Sequence, residues 1–117
     1  MNAPDRFELF ILPDGQEKLV IQPDLKTPNS VLIKIEKEDH TLGNLLVSQL
    51  LKDPQVIFAA YKIPHPLFAT FNIRLQVEDD YDCKTALKKA CGLLISELDM
   101  IKEKFKDEWK LKSLLQE

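Results

Sequence analysis

Glu38, Asp39, His40, Thr41 and Asn44 lie within the seven-residue stretch EDHTLGN. A carboxylate next to an imidazole is the minimum equipment for general acid–base catalysis, so Asp39 and His40 raise that chemistry first. The rest of such a site is missing from the sequence, which offers no third group to orient the imidazole and no oxyanion donor. His65 stands 25 residues downstream between Pro64 and Pro66, and neither histidine has the short His, Cys or Glu spacing of a zinc site. Only three glycines occur, so there is no glycine-rich phosphate loop. No catalytic, cofactor-binding or metal-ligating residue is assigned, and no cofactor is expected.

The same residue types suit a structural joint. Val31, Ile33 and Ile35 alternate with Lys34 and Glu36 in the pattern of a half-buried strand. After them the period changes, with Leu42, Leu45, Leu46, Gln49 and Leu50 recurring at helical spacing before Asp53-Pro54 stops the run. A helix over residues 41–52 begins with amides that lack partners, and Asp39 or Thr41 is placed to cap them. The acidic pair Glu38 and Asp39 favours the positive end of its dipole. His40 and Asn44 can tie the joint by side-chain bonds. Gly43 costs about 1 kcal/mol relative to Ala inside a helix, so its presence predicts a backbone or bulky side chain passing close by.

Further elements follow from period and punctuation. Phe7, Leu9 and Ile11 alternate ahead of the turn-like Pro13–Gly15, and Lys18–Ile21 is a second short extended segment. Val56–Tyr61 reads as a strand ended by KIPHP, whose prolines remove backbone donors. Phe71, Ile73, Leu75 and Val77 alternate with polar residues as the cleanest strand of all. The expected architecture is a two-layer α+β domain over residues 1–117, with a mostly antiparallel four-stranded sheet carrying helices on one face.

Sixteen Lys and Arg against nineteen Asp and Glu give a net charge of −3, which argues against a stand-alone nucleic-acid binder. The longest apolar run, Val56–Tyr61, is far short of the roughly 20 residues that cross a bilayer. Asp5 and Glu8 interrupt the opening where a secretory signal needs apolar residues, so an intracellular protein is expected. Cys83 and Cys91 fall about 12 Å apart along one helix, beyond disulfide reach, and are read as reduced thiols.

From about Tyr81 onward no proline appears. Leu87, Cys91, Leu94, Leu98, Ile101 and Phe105 step by four and three along a long terminal helix. The step fails at Glu108, and Trp109, Leu111, Leu114 and Leu115 carry the apolar content on a shifted face, so register drift or a bend is expected there. Ala86, Ala90 and Leu93 add a second apolar side, and Gly92 allows a neighbour's backbone close approach. Such a helix is about 45 Å long, whereas a compact chain of this size has a radius of gyration near 13 to 14 Å. Four or five large side chains left uncovered would contribute on the order of 8 to 12 kcal/mol to an association before entropy costs. A partner chain is expected, with Leu42, Leu45, Leu46, Leu50, Leu87, Cys91, Leu94, Leu98, Ile101 and Phe105 as its interface.

EDHTLGN (38–44), an eleven-residue gap and VIFAAYKIPHP (56–66) together resemble the signature of the small alpha-like, L-type subunits of archaeal and eukaryotic RNA polymerases. The opening MNAPDRFELF and LLKDPQV look like the version found in RNA polymerase II. The paralogue shared by polymerases I and III resembles the same two blocks but differs in its amino terminus. The resemblance covers essentially all of the chain, weakening after Asp107. It implies a fold similar to the dimerisation domain of the bacterial alpha subunit, with no second domain inserted and no DNA-contacting tail. It also implies a heterodimer with a larger alpha-like subunit, and a nuclear platform on which the large catalytic subunits assemble, without direct nucleic-acid or membrane contact. Carried over by position, Asp39, His40, Thr41, Gly43 and Asn44 form the strand–helix joint, and Tyr61, His65 and Pro66 the facing turn.

Overall fold

The computed structural model describes residues 3–116. Its sheet contains β1 (Leu19–Pro23), β2 (Ser30–Glu36), β3 (Val56–Lys62) and β4 (Thr70–Val77), and its helices are α1 (His40–Leu50) and α2 (Cys83–Leu115). The strands lie in the order β1-β2-β4-β3, and every neighbouring pair is antiparallel. The architecture is the expected two-layer α+β arrangement. Its sheet is antiparallel throughout rather than mostly so.

Alternation sets the inner face. Ile33 stands opposite Ile73 and Ile35 opposite Phe71, so their side chains emerge on one side, where Leu75 and Val77 continue the row. All six are buried, together with Leu46 and Leu50 of α1 and Cys83, Ala86, Leu87 and Ala90 of α2. The strongest strand centre, β2, is bounded by two residues in the left-handed region, Asn29 (φ 54°) and Lys37 (φ 60°). The left-handed turn at Lys37 ends the ladder and lets its amide donate to the Ala69 carbonyl at 2.6 Å.

The strand expected around Phe7, Leu9 and Ile11 is not formed. Arg6–Leu9 is a 3-10 turn with no buried residue, because the Phe10 and Ile11 amides donate back to the Phe7 carbonyl instead of to a neighbouring strand. Phe10 and Leu12, which blur the alternation, are the local reason. For α2, the first of the two alternatives expected near Glu108 holds. The helix runs unbroken for 33 residues, and the shift at Glu108 is a drift of the apolar row on a continuous helix.

Asp53, just beyond α1, fixes where α2 starts. Its carboxylate accepts from the Gln55 amide at 3.0 Å and from the Tyr81 hydroxyl at 2.8 Å, and the Lys89 ammonium lies 3.9 Å away. Burial pushes this carboxyl's pKa up, but those partners together outweigh burial and hold it below the usual range. The Tyr81 hydroxyl is pushed up, first by its bond to Asp53 and then by burial. Beyond this anchor α2 crosses the end of α1, where Glu97 and Lys52 approach to 3.9 Å, and it continues past the sheet. The radius of gyration is 18.1 Å and the extents are 63 × 46 × 23 Å, well outside the compact expectation.

Candidate functional site

The EDHTLGN joint is built around a packed aromatic ring. Asp39 takes an extended backbone and its carboxylate accepts from the Thr41 amide at 3.0 Å, so Asp39 is the cap and Thr41 supplies the capped donor. His40 Nδ1 lies 2.9 Å from the Tyr61 hydroxyl across the gap between α1 and β3. The Tyr61 ring meets His40 edge-on at 5.6 Å between centroids and Phe71 at 6.0 Å. Gly43 lies directly beneath that ring: a Cβ there would stand 2.8 Å from Tyr61 Cδ2. The close neighbour that Gly43 predicts is this side chain.

Other members of the motif do different work. Glu38 pairs with Lys18 at 3.0 Å, linking the joint to the start of β1. Asn44 does not tie the joint, because it lies a turn along α1 and its carbonyl accepts from the Ser48 hydroxyl at 3.3 Å. His65 Nδ1 accepts from the Leu67 amide at 3.2 Å and its ring packs beside Phe68, so it shapes the 65–68 turn with Pro66. At the end of β2, Glu36 is buried; the Thr70 hydroxyl donates to it at 2.7 Å and Lys34 lies at 3.1 Å. Burial works to raise this carboxyl's pKa, but Thr70 and Lys34 more than offset it, leaving it low. Glu36, Glu38, Asp39, His40 and His65 thus each have a structural partner. Among the described residues no group of three His, Cys, Asp or Glu is placed to hold a metal ion.

The residues expected at a partner interface fall into three sets. Leu46, Leu50 and Leu87 are buried against the sheet and present no surface to a second chain, which corrects their assignment. The heptad seam begins inside the chain's own core. Leu42, Cys91 and Leu94 are half-buried at its margin. Burial raises the thiol pKa of both cysteines, and both are free.

Leu45, Leu98, Ile101 and Phe105 are exposed, the last three at 52%, 63% and 65%. Every residue from Ile95 to Gln116 is exposed, so the outer part of α2 is a rod about 30 Å long with no cover. Along it Leu94, Leu98, Ile101, Phe105 and Trp109 fall within about 40° of one line at 100° per residue. Trp109, outside the strict seam, belongs to this row: its ring stacks on Phe105 at 6.0 Å and 24° and is 63% exposed. The aromatic i,i+4 pair was the available signal. Exposed apolar patches of this extent on a folded chain mark association surfaces.

Comparison with known proteins accords with this geometry. Residues 30–104 match the family model described as the RNA polymerase Rpb3/Rpb11 dimerisation domain. The chain is 45% identical to the DNA-directed RNA polymerase II subunit RPB11 of Schizosaccharomyces pombe, over 97% of this chain and 92% of the relative. It is also 45% identical to the corresponding subunit of Dictyostelium discoideum, over 90% and 88%. Among solved structures, DNA-directed RNA polymerase subunit L of Thermoplasma acidophilum superposes with a TM-score of 0.65 at 28% identity, covering 79% of this chain and 88% of that one. With a matched domain that spans the joint, strands β2 to β4 and α2 as far as Lys104, the chain belongs to the RNA polymerase Rpb3/Rpb11 dimerisation-domain family.

Proposed function

We propose that this chain is a non-catalytic assembly subunit of nuclear DNA-directed RNA polymerase II. It pairs with a larger alpha-like subunit through the exposed faces of α1 and α2, and the pair is the platform on which the large catalytic subunits assemble for transcription. The relatives named as polymerase II subunits support the enzyme to which it belongs. The apolar row from Leu94 to Trp109, on a helix whose core contacts end at Leu94, carries the pairing reading. Aromatic and aliphatic side chains in a line are the usual anchors of such an interface. Asp39, His40, Gly43 and Tyr61 fix how α1 leaves the sheet, and Leu45 is the exposed leucine that helix offers to a partner.

Co-expression with the larger alpha-like subunit tests this. The two chains are expected to co-purify, with Trp109 emission moving to shorter wavelength on pairing. Leu98→Glu with Phe105→Glu is expected to abolish co-purification while leaving the sheet folded. A wild-type chain that stays monomeric with its partner present, or a double variant that still enters the polymerase, would overturn the reading.

A further inference from the structure

The charges that flank the open row on α2 carry a pattern of their own. Glu97 and Lys104 stand on one edge of the row, one heptad apart, so acid is followed by base along it. Neither is firmly committed: Glu97 reaches the exposed Lys52 at 3.9 Å, and Lys104 has no ion-pair partner among the described residues. A helix edge that reads acid then base is complementary to an inverted copy of itself. In an antiparallel pair that sets Leu98 on the second copy's Ile101, and Leu94 on its Phe105, like edges face each other and each Glu97 meets the opposite Lys104. On the other edge the methylene stem of Lys102 lies across Ile95, which is 68% exposed. Slid by one heptad in either direction, the apolar residues still meet, but Glu97 faces Glu97 or Lys104 faces Lys104. Repulsion disfavours both, so charge selects one register.

Bulk selects the orientation. At 100° per residue Leu87 falls on the same line as Phe105, yet it is buried in the chain's own core. The space in front of the row is thus filled by the folded body at one end of α2 and open at the other. Parallel mates would require that space for both bodies at once. Antiparallel mates crossing near residues 99 and 100 send each body past the free end of the other helix. The row and its flanking stems bury on the order of 500 Å² per copy in such a crossing, or about 1,000 Å² in all, at the low end of stable interfaces.

We propose that a second copy of this chain covers the row before the larger alpha-like subunit does. Free chains form an antiparallel two-fold dimer through Leu94, Leu98, Ile101 and Phe105, registered by two Glu97–Lys104 pairs. The same patch is used on both copies, so the assembly closes at two chains. An interface of this size dissociates at about 10 to 100 µM, weak enough to yield to a larger one. The proposal rests on the pairing reading in one respect, that the larger subunit takes the same row and dissolves the dimer.

Sedimentation velocity of the purified full-length chain over about 1 to 300 µM, without other subunits, tests it. The wild type should pass from monomer to dimer with a midpoint in the tens of micromolar. Glu97→Lys and Lys104→Glu each set like charges across the contact, and each should raise the midpoint at least tenfold while leaving the urea midpoint of the dilute chain unchanged. Mixed in equal amounts, these two variants should dimerise with each other as readily as the wild type, because opposite charges then face again at both pairs. A wild-type chain that stays monomeric throughout, growth beyond two chains, or a mixture that remains monomeric would each overturn the proposal. Adding the larger alpha-like subunit should convert the dimer into a one-to-one complex. A one-to-one complex formed by a chain that is monomeric alone would remove self-pairing and keep the pairing reading, whereas a charge-registered dimer that the larger subunit does not bind would do the reverse.

Discussion

Replacing Gly43 by Ala should destabilise the chain even though Ala is the better helix former. The added Cβ would lie 2.8 Å from Tyr61 Cδ2 and 3.0 Å from Cε2 and Cγ, so ring or helix must move by several tenths of an ångström. The ring has little freedom to move, since its hydroxyl is bonded to His40 at 2.9 Å and its edge rests on the fully buried Phe71. Relief of the glycine penalty contributes about 1 kcal/mol. Overpacking costs about 1 to 3 kcal/mol, and loss of the His40–Tyr61 bond about 0.5 to 1.5 kcal/mol more. The net is a loss of roughly 0.5 to 3.5 kcal/mol. Gly92 supplies the control, because a Cβ there meets nothing within 4 Å, and Gly92→Ala should stabilise by about 1 kcal/mol. Urea unfolding followed by circular dichroism would show midpoints displaced in opposite directions at similar slope. In a Tyr61→Ala background the Gly43→Ala change should turn stabilising. Equal effects at the two glycines, or no reversal without the ring, would refute the packing account.

Acid should weaken the fold through Asp53 and Glu36. Both carboxyls have folded pKa values below their unfolded ones, so their stabilisation is complete above about pH 4 and drains as pH falls through the lowered values. Asp53→Asn should flatten the acid limb of a stability–pH profile measured by urea unfolding. Tyr81 behaves oppositely: its pKa is raised, so its contribution is complete below about pH 10 and lost above, and Tyr81→Phe should remove that alkaline loss. Leu50→Ala at a fully buried position should cost about 2 to 5 kcal/mol in unfolding measurements. Leu98→Ala, half-exposed, should stay within about 0.5 kcal/mol for the isolated chain yet weaken pairing measurably in a binding titration.

Periodicity revealed what packs but not against what. The alternation at Val31–Ile35 and Phe71–Val77 gave β2 and β4 directly, because a sheet buried on one face admits only one register. Gly43 announced a close neighbour from propensity alone, although only the fold could identify it as Tyr61. The interface was harder. Leu46, Leu50 and Leu87 share the spacing of Leu98 and Phe105, yet the first three meet the sheet and the last two meet solvent, and no local pattern separates those cases. Phe7–Ile11 misled because alternation is necessary for a strand but insufficient without a partner to complete its ladder. Asn44 misled because proximity in sequence to a cap says nothing about the helix face on which a side chain emerges.

The exposed half of α2 also bears on how pairing occurs. Inside Leu94 the helix is held by Cys83, Ala86, Leu87 and Ala90 in the core. Outside it, the described side-chain interactions are the exposed Lys52–Glu97 pair at 3.9 Å, the last link to the rest of the fold, and within the helix the Lys106–Glu103 pair at 3.8 Å and the Phe105–Trp109 stack, the latter two worth about 0.2 to 0.5 kcal/mol each on a helix surface. A helical segment with so little tertiary support opens at a cost near zero, whereas amides of β2 and β4 open only with the whole fold. Hydrogen exchange on the isolated chain should therefore show a step in protection between Leu94 and Leu98, and addition of the partner should erase it while leaving Val31–Ile35 unchanged. Ordering the rod would then consume about 2 to 5 kcal/mol of the gross interface energy, which makes pairing weaker than its buried area suggests and strengthened by helix-favouring changes within the rod and off its apolar row, such as Ser96→Ala. Protection beyond Leu98 equal to that of the sheet in a monomeric chain would show that the rod is already covered, and the coupling between ordering and pairing would not exist.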